Sequence, residues 1–177
     1  IITYYINPGH CVATYLITVN PLPAPIGGPD SVCVGSVIIL TDATRGGSWS
    51  TSVVPPISSI DGVGFLTGGP GSGVDTIWYT LSTGCRTSHL VTVNPLPPAI
   101  TGLDSLCLGD STMLTDVTLT GGTWTSSDPA IVELETTYPD SVWVKGIGAG
   151  TSTIVYTTPS GCFSTLTITV DPYPSPI

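Results

Sequence analysis

Basic side chains are almost missing from this chain. Only Arg45, Arg86 and Lys145 carry a fixed positive charge among 177 residues, against twelve acidic residues, and charged residues make up 8% of the whole. A net charge of −9 without a cationic cluster argues against nucleic acid and anionic membrane surfaces as partners. No apolar run approaches the ~18 residues that span a bilayer. Histidine is limited to His10 and His89, and no Asn-x-Ser/Thr site occurs. Helix signals are lacking too. Threonine supplies about one residue in six, and glycine plus proline more than one in five, which is a composition of strands and turns.

What is present repeats. Gly84 to Pro97 reads GCRTSHLVTVNPLP, Gly161 to Pro174 reads GCFSTLTITVDPYP, and Gly9 to Pro23 reads GHCVATYLITVNPLP with one extra residue. In each copy a valine follows the cysteine by eight residues: Cys11 and Val19, Cys85 and Val93, Cys162 and Val170. A tyrosine precedes each cysteine by six: Tyr5, Tyr79 and Tyr156. Agreement at several fixed offsets identifies tandem repeats. The period is 74 residues from Ile26 to Ile100 and 77 from Ile100 to Ile177. We therefore expect full repeats over 26–100 and 101–177. Residues 1–25 match the closing hairpin of a preceding repeat, as in a segment of a longer protein.

The cysteines sort by repeat position. Cys33 and Cys107 lie near the repeat starts and Cys85 and Cys162 near the ends, which suggests bridges Cys33–Cys85 and Cys107–Cys162. Cys11 is left over, with its expected partner in the missing part of the truncated repeat. Paired cysteines in small β domains point to an oxidising, extracytoplasmic setting.

Along the chain, 1–6 and 12–19 read as a hairpin, followed by the Pro-rich joint 20–25, which favours semi-rigid extended backbone. In the first full repeat, short strands are expected at 31–34, 37–40, 63–66, 75–81 and 86–93, with 51–61 as a Pro/Ser-rich loop. In the second they are expected at 105–108, 111–120, 131–134, 141–144, 153–157 and 163–170. Gly46-Gly-Ser-Trp49 matches Gly121-Gly-Thr-Trp124, and Trp49, Trp124, Tyr79 and Tyr156 are the expected core aromatics. About seven short strands per repeat, with a Cys…Trp…Cys order, predict an all-β, immunoglobulin-like sandwich. Each second cysteine sits in the hairpin turn rather than mid-strand. The bridge is thus expected to tie the first strand to the start of the last.

The segments VCVGSVIILTDATRGGSWSTS, LCLGDSTMLTDVTLTGGTWTSSDPAIV, GIGAGTSTIVYTTPSGC and TVNPLP resemble bacterial Ig-like repeats of group 2, the invasin/intimin-related kind. More narrowly, they are similar to repeat arrays in giant secreted surface proteins of Bacteroidota. The resemblance spans essentially the whole chain. It implies a β-sandwich, export to the cell surface, usually by the type IX system, and roles in adhesion, gliding or scaffolding. It implies no catalysis. Asp-Ser/Thr followed by an aliphatic residue or threonine occurs at five of the ten aspartates, preceding Ser31, Thr76, Ser105, Ser111 and Ser141. This pattern is similar to the O-glycosylation sequon of exported Bacteroidota proteins. Asp-Ser also simply starts strands in turn-rich β proteins. Ser31 and Ser105 recur at equivalent repeat positions.

Other chemistry reads as structure. Gly69-Pro-Gly-Ser-Gly73 lacks the Lys-Ser/Thr and helix of a phosphate loop. His10 and His89 match non-histidine residues in the other repeats, so neither is expected to serve catalysis or zinc. Asp110, Asp116, Glu133 and Glu135 lack calcium-loop spacing. No cofactor and no enzymatic activity are expected. The leading reading is a structural segment of an extracellular rod or filament, whose partners are neighbouring repeats, copies of itself or attached glycans. The alternatives are a ligand-binding adhesin module, with 51–73 or 134–143 as its loops, and a spacer attached to a secreted enzyme.

Overall fold

The computed structural model describes residues 1–6, 11–52, 56–117 and 121–173, and every regular element in it is a strand. His10, Pro174 and Ile177 lie outside the described residues, as do parts of the predicted segments 51–61 and 111–120. The strands run β1 (Ile2–Ile6), β2 (Cys11–Tyr15), β3 (Ser31–Cys33), β4 (Val37–Ile39), β5 (Gly47–Thr51), β6 (Ser58–Ile60), β7 (Phe65–Gly68), β8 (Gly73–Leu81) and β9 (Arg86–Asn94). They continue as β10 (Ser105–Cys107), β11 (Ser111–Thr115), β12 (Thr123–Ser126), β13 (Val132–Thr137), β14 (Ser141–Gly146), β15 (Gly150–Thr157) and β16 (Phe163–Asp171).

Alternating side chains decide which face each long strand buries. In β8, Asp75, Ile77 and Tyr79 point inward; in β15, Ser152, Ile154 and Tyr156 do so. The sheet β3-β9-β8-β5 faces β4-β7-β6 across a core that includes Leu40, Leu66, Ile77, Val91 and Val93. The sheet β10-β16-β15-β12 faces β11-β14-β13 across Leu114, Val132, Val142, Ile154 and Ile168. The chain is thus built of immunoglobulin-like β-sandwich with seven short strands around each core, among the described residues. β1 and β2 form a separate antiparallel hairpin, in which Tyr5, at the position of Tyr79 and Tyr156, is 69% exposed.

Several predicted boundaries move: the strand expected at 63–66 is β7, Phe65–Gly68, and the one opening at Ser111 ends at Thr115. The run 12–19 ends its pairing at Tyr15, and Val19 stands exposed. The Pro/Ser-rich stretch expected to be loop holds β6, whose Ser58 hydroxyl donates to buried Asp75 Oδ2 at 2.7 Å. Ser52 donates to Asp75 Oδ1 through both its backbone N–H and its hydroxyl, so this carboxylate is fixed by three hydrogen bonds. Ser152 takes the same place in the second core, receiving the Asp128 N–H at 3.0 Å.

The disulfide assignment is overturned. Cys33 bonds Cys162, 129 residues away, with the Cα atoms 5.7 Å apart. Cys85 and Cys107 keep free thiols. The reason lies in β3 and β10, which pair parallel to the closing strands and at their far ends: Cys33 is opposite Asn94, and Cys107 opposite Asp171. Cys85 and Cys162 precede the starts of those same strands. Nine residues of extended chain place the proposed partners about 30 Å apart, whereas a bridge needs Cα atoms within about 7 Å. Neither Cys33–Cys85 nor Cys107–Cys162 is geometrically available. One bridge per repeat gives way to one bridge between the two sets of sheets.

The aromatic pairs explain the double glycines. Trp49 is opposite Tyr79 and Trp124 opposite Tyr156, with ring centroids 4.7 and 4.8 Å apart. Trp124, Tyr79 and Tyr156 are buried, and Trp49 is half-buried against its core. Each tyrosine hydroxyl closes the sandwich edge. Tyr79 Oη accepts the Gly47 N–H at 2.9 Å and donates to Thr44 O at 2.7 Å. Tyr156 Oη accepts the Gly122 N–H and donates to Pro139 O, both at 3.1 Å. A Cβ on Gly122 would stand 2.4 Å from the Tyr156 ring, and one on Gly47 2.5 Å from Tyr79. Only glycine lets the backbone lie on the ring.

Tyr156→Phe removes both hydroxyl bonds and should cost about 1–3 kcal/mol, read by urea titration of tryptophan fluorescence. Gly122→Ala should cost more, because ring and backbone must separate. A smaller loss than Tyr156→Phe would show that the ring yields.

Candidate functional site: a covalent junction

Two of the cysteines singled out by repeat position come together, though not in the expected combination. Cys33 ends β3 at the exit end of the first core, beside Asn94, from which the chain leaves β9. Cys162 lies in the β15–β16 turn and is fully buried. That turn is tight: the Thr158 N–H donates to Cys162 O at 2.8 Å, and the Thr158 hydroxyl reaches the same carbonyl at 2.9 Å. The parallel pairing of β3 is continued by the Val34 N–H, which donates to Asn94 O at 2.9 Å. Both sulfurs are therefore presented by hydrogen-bonded backbone. A cleft of about 350 Å³ beside the bridge is lined by Cys33, Val34, Gly35, Ser36, Leu96 and Phe163. Leu96 belongs to the Pro-rich joint, and Pro97 and Ile100 of that joint are buried. The preceding joint is held likewise: Pro23 and Ile26 are buried, and the Ala24 N–H donates to the Thr44 hydroxyl at 2.8 Å.

The remaining candidates are dispersed. Ser31, Ser105 and Ser111 are exposed, while Thr76 and Ser141 are partly buried. Asp30 O and Asp104 O accept the N–H groups of Thr92 and Thr169, both at 2.8 Å, so Ser31 and Ser105 occupy matching sites. Ser105 Oγ donates to Asp171 Oδ2 and Ser111 Oγ to Glu135 Oε2. Thr76 differs, since the aspartate of its motif, Asp75, is buried in the core. Gly69–Gly73 leads into strand β8, not a helix, and the Gly69 N–H donates to Ile57 O. His89 Nε2 lies 3.1 Å from Asp30 Oδ1, an ion pair only when the imidazole is protonated and without a hydrogen bond between them. Among the described residues, no three His, Cys, Asp or Glu side chains gather as metal ligands. Asp116 is buried and accepts from Ser164 Oγ at 3.1 Å, and Glu135 pairs with Lys145 at 3.9 Å. Among the described residues, no helix is long and apolar enough to cross a membrane.

Asp61 escaped the sequence reading, although Asp-Gly before a strand is a turn signal. Its Oδ1 accepts the N–H groups of Val63, Gly64 and Phe65 at 2.8–2.9 Å. These bonds, led by that of Phe65, hold its carboxyl below the usual carboxylate value.

No protein-family model matches the chain, and no curated protein matches it. Among solved structures, it is similar to a C-terminal 282-residue fragment of intimin, solved with the intimin-binding domain of the translocated intimin receptor. The TM-score is 0.53 and the identity 15%, over 84% of this chain and 64% of the intimin fragment. This likeness shows the fold. Looser matches include domains 4 and 5 of the S-layer protein SbsC, with TM-score 0.38 and 12% identity over 85% of this chain and 99% of that one. Another is the adhesin InvE of Yersinia pseudotuberculosis, with TM-score 0.31 and 15% identity over 82% and 58%.

Two outcomes follow. A bridge closing a loop of this length within one cooperative unit would be worth roughly 5 kcal/mol on the chain-entropy model. The Cys33–Cys162 bridge joins two cores, so Cys33→Ser should lower each core's unfolding free energy by far less, on the order of 1 kcal/mol or below, read by urea titration. For Asp61, the folded pKa lies below the unfolded one. Its contribution is therefore complete above the unfolded value and lost as pH falls through the folded one. The stability gap between the native chain and Asp61→Asn should shrink as pH drops below about 4, read by thermal melts across pH.

Proposed function

We propose that this chain is a segment of an extracellular rod or filament, serving adhesion or scaffolding and not catalysis. Immunoglobulin-like repeats at 26–100 and 101–177 follow one another through Pro-rich joints, and 1–25 is the closing hairpin of a preceding repeat. The observation that carries this reading is the Cys33–Cys162 bridge, which clamps the exit of one core to the turn of the next. A Pro-rich joint alone permits bending; a second covalent connection removes most of it. The bridge also supports an extracytoplasmic location, since such bonds persist where thiols are oxidised. The scarcity of charge suits a protein whose exposed Ser31 and Ser105 carry O-linked sugar, which supplies solvation and protease resistance.

A second reading, an adhesin surface, is favoured by Met113, Tyr138 and Trp143, all exposed on or beside the three-stranded sheet of the second core. The intimin fragment that shares the fold was solved with a receptor domain.

Small-angle scattering tests the rod. Repeats that each advance roughly 35–45 Å give a radius of gyration of about 23 Å or more, against about 16 Å for a compact chain of this length. Reduction should broaden the distance distribution without unfolding either core. A compact particle in both states would defeat the proposal. For the sugars, fragmentation mass spectrometry of natively produced protein should find added hexose-type mass on Ser31 and Ser105, and none on Thr76.

A further inference from the structure

We infer that Cys85 and Cys107 are the open halves of the same inter-repeat bridge that Cys33 and Cys162 already form. Each opening-strand cysteine bonds the closing-turn cysteine of the next repeat, so the array is cross-linked at every junction. This rests on the rod reading above and names the partner at each end: a further immunoglobulin-like repeat presenting a cysteine.

The repeat positions place the four sulfurs. Cys33 and Cys107 are equivalent, each ending a short strand that pairs parallel with the last residue of the closing strand, Asn94 or Asp171. Cys85 and Cys162 are equivalent, each preceding the first residue of a closing strand. Pairing with the end of the closing strand puts these two classes at opposite ends of both sandwiches. The second sandwich therefore presents its own closing-turn cysteine toward the first and its opening-strand cysteine away from it. Cys107 is exposed at that outer end.

The other end carries an independent sign. Cys85 Sγ donates to the backbone carbonyl of Asn20 at 3.7 Å. Asn20 follows Val19 as Asn94 follows Val93, so it is the residue beside which an opening-strand cysteine sits. At the completed junction, Cys162 reaches Cys33 beside Asn94. At the incomplete one, Cys85 already lies against Asn20, at the place where the preceding repeat's opening cysteine would arrive. The arrangement of the formed bridge is thus reproduced, less one sulfur.

Closing each bond joins two thiols into one disulfide and releases two protons and two electrons. A disulfide oxidant accepts the electrons: oxidised glutathione, or an oxidoreductase disulfide, is reduced to two thiols as the thiolates exchange through a mixed disulfide.

The test lengthens the full chain by one repeat, appending a second copy of residues 101–177 that carries Ser160→Thr as a mass mark. After oxidation with a glutathione buffer, alkylation and non-reducing digestion, Cys107 should be recovered linked to the marked peptide that holds the added Cys162 counterpart. Cys33 should remain linked to the original Cys162. Cys107→Ser in the same chain should leave the added cysteine fully alkylated. If this extension does not fold, appending residues 26–100 reads the same bond through the counterpart of Cys85. A Cys107 that is alkylated beside a folded added repeat, or that is linked to Cys85 or Cys11 of its own chain, overturns the inference. Scattering of the same samples reads the rod separately. Lengthening by one repeat with Cys107 reduced would keep the rod and discard the ladder, whereas a linked but compact chain would do the reverse.

Discussion

The parallel pairing of a three-residue opening strand with the end of the closing strand governs this molecule. It satisfies backbone groups at one edge of each four-stranded sheet, leaving β5 and β12 as the other edges. It also decides which cysteines can meet. Pairing with the start of the closing strand would have brought the cysteines of one sandwich together and made each one a closed unit. Pairing with its end places them at opposite ends, and the bridge among the described residues runs between sandwiches. Which cysteines can meet is thus set by hydrogen-bond register inside each sheet.

Charge contributes little to holding the fold. The ion-pair contacts among the described residues are His89–Asp30 and Lys145–Glu135, and exposed pairs of this kind are worth well under about 1 kcal/mol. Stability comes instead from the apolar cores and from polar side chains that fix backbone locally. The Asp75 carboxylate, the Tyr79 and Tyr156 hydroxyls and the Asp61 turn each satisfy several groups at once. Such interactions are short-ranged and largely insensitive to ionic strength, unlike surface charge networks.

The fold class was legible because about seven short β-rich runs, punctuated by glycine turns, share a Cys…Trp…Cys order with the sandwich. The disulfide was not legible, because sequence position shows which cysteines are equivalent but not which ends of a sandwich they occupy. The stretch of closing strand that β3 and β10 pair with carries that information, and three residues are too few to display it. β6 was hidden for a related reason: Ser58 faces the core to serve Asp75, so an inward polar residue stands where an apolar one would have revealed the strand. The double glycines before each tryptophan were visible as a repeat, yet the cause of the second of each pair, Gly47 and Gly122, lies some thirty residues downstream in the tyrosine ring it covers, while Gly46 and Gly121 hold positive φ.

Tension along the chain crosses from one sandwich to the other through the Cys33–Cys162 bond. A pull transmitted from Ile26 to Asp171 passes through β3, crosses the bridge, and leaves along β16; everything between the two cysteines hangs beside that route as an unloaded loop. Twelve strands lie within this loop, including most of both cores. They cannot be drawn out by force applied at those ends while the sulfur bond holds. The bridge acts as a covalent bypass: it caps how far the segment can stretch and shields the folded bodies from the load they help to space.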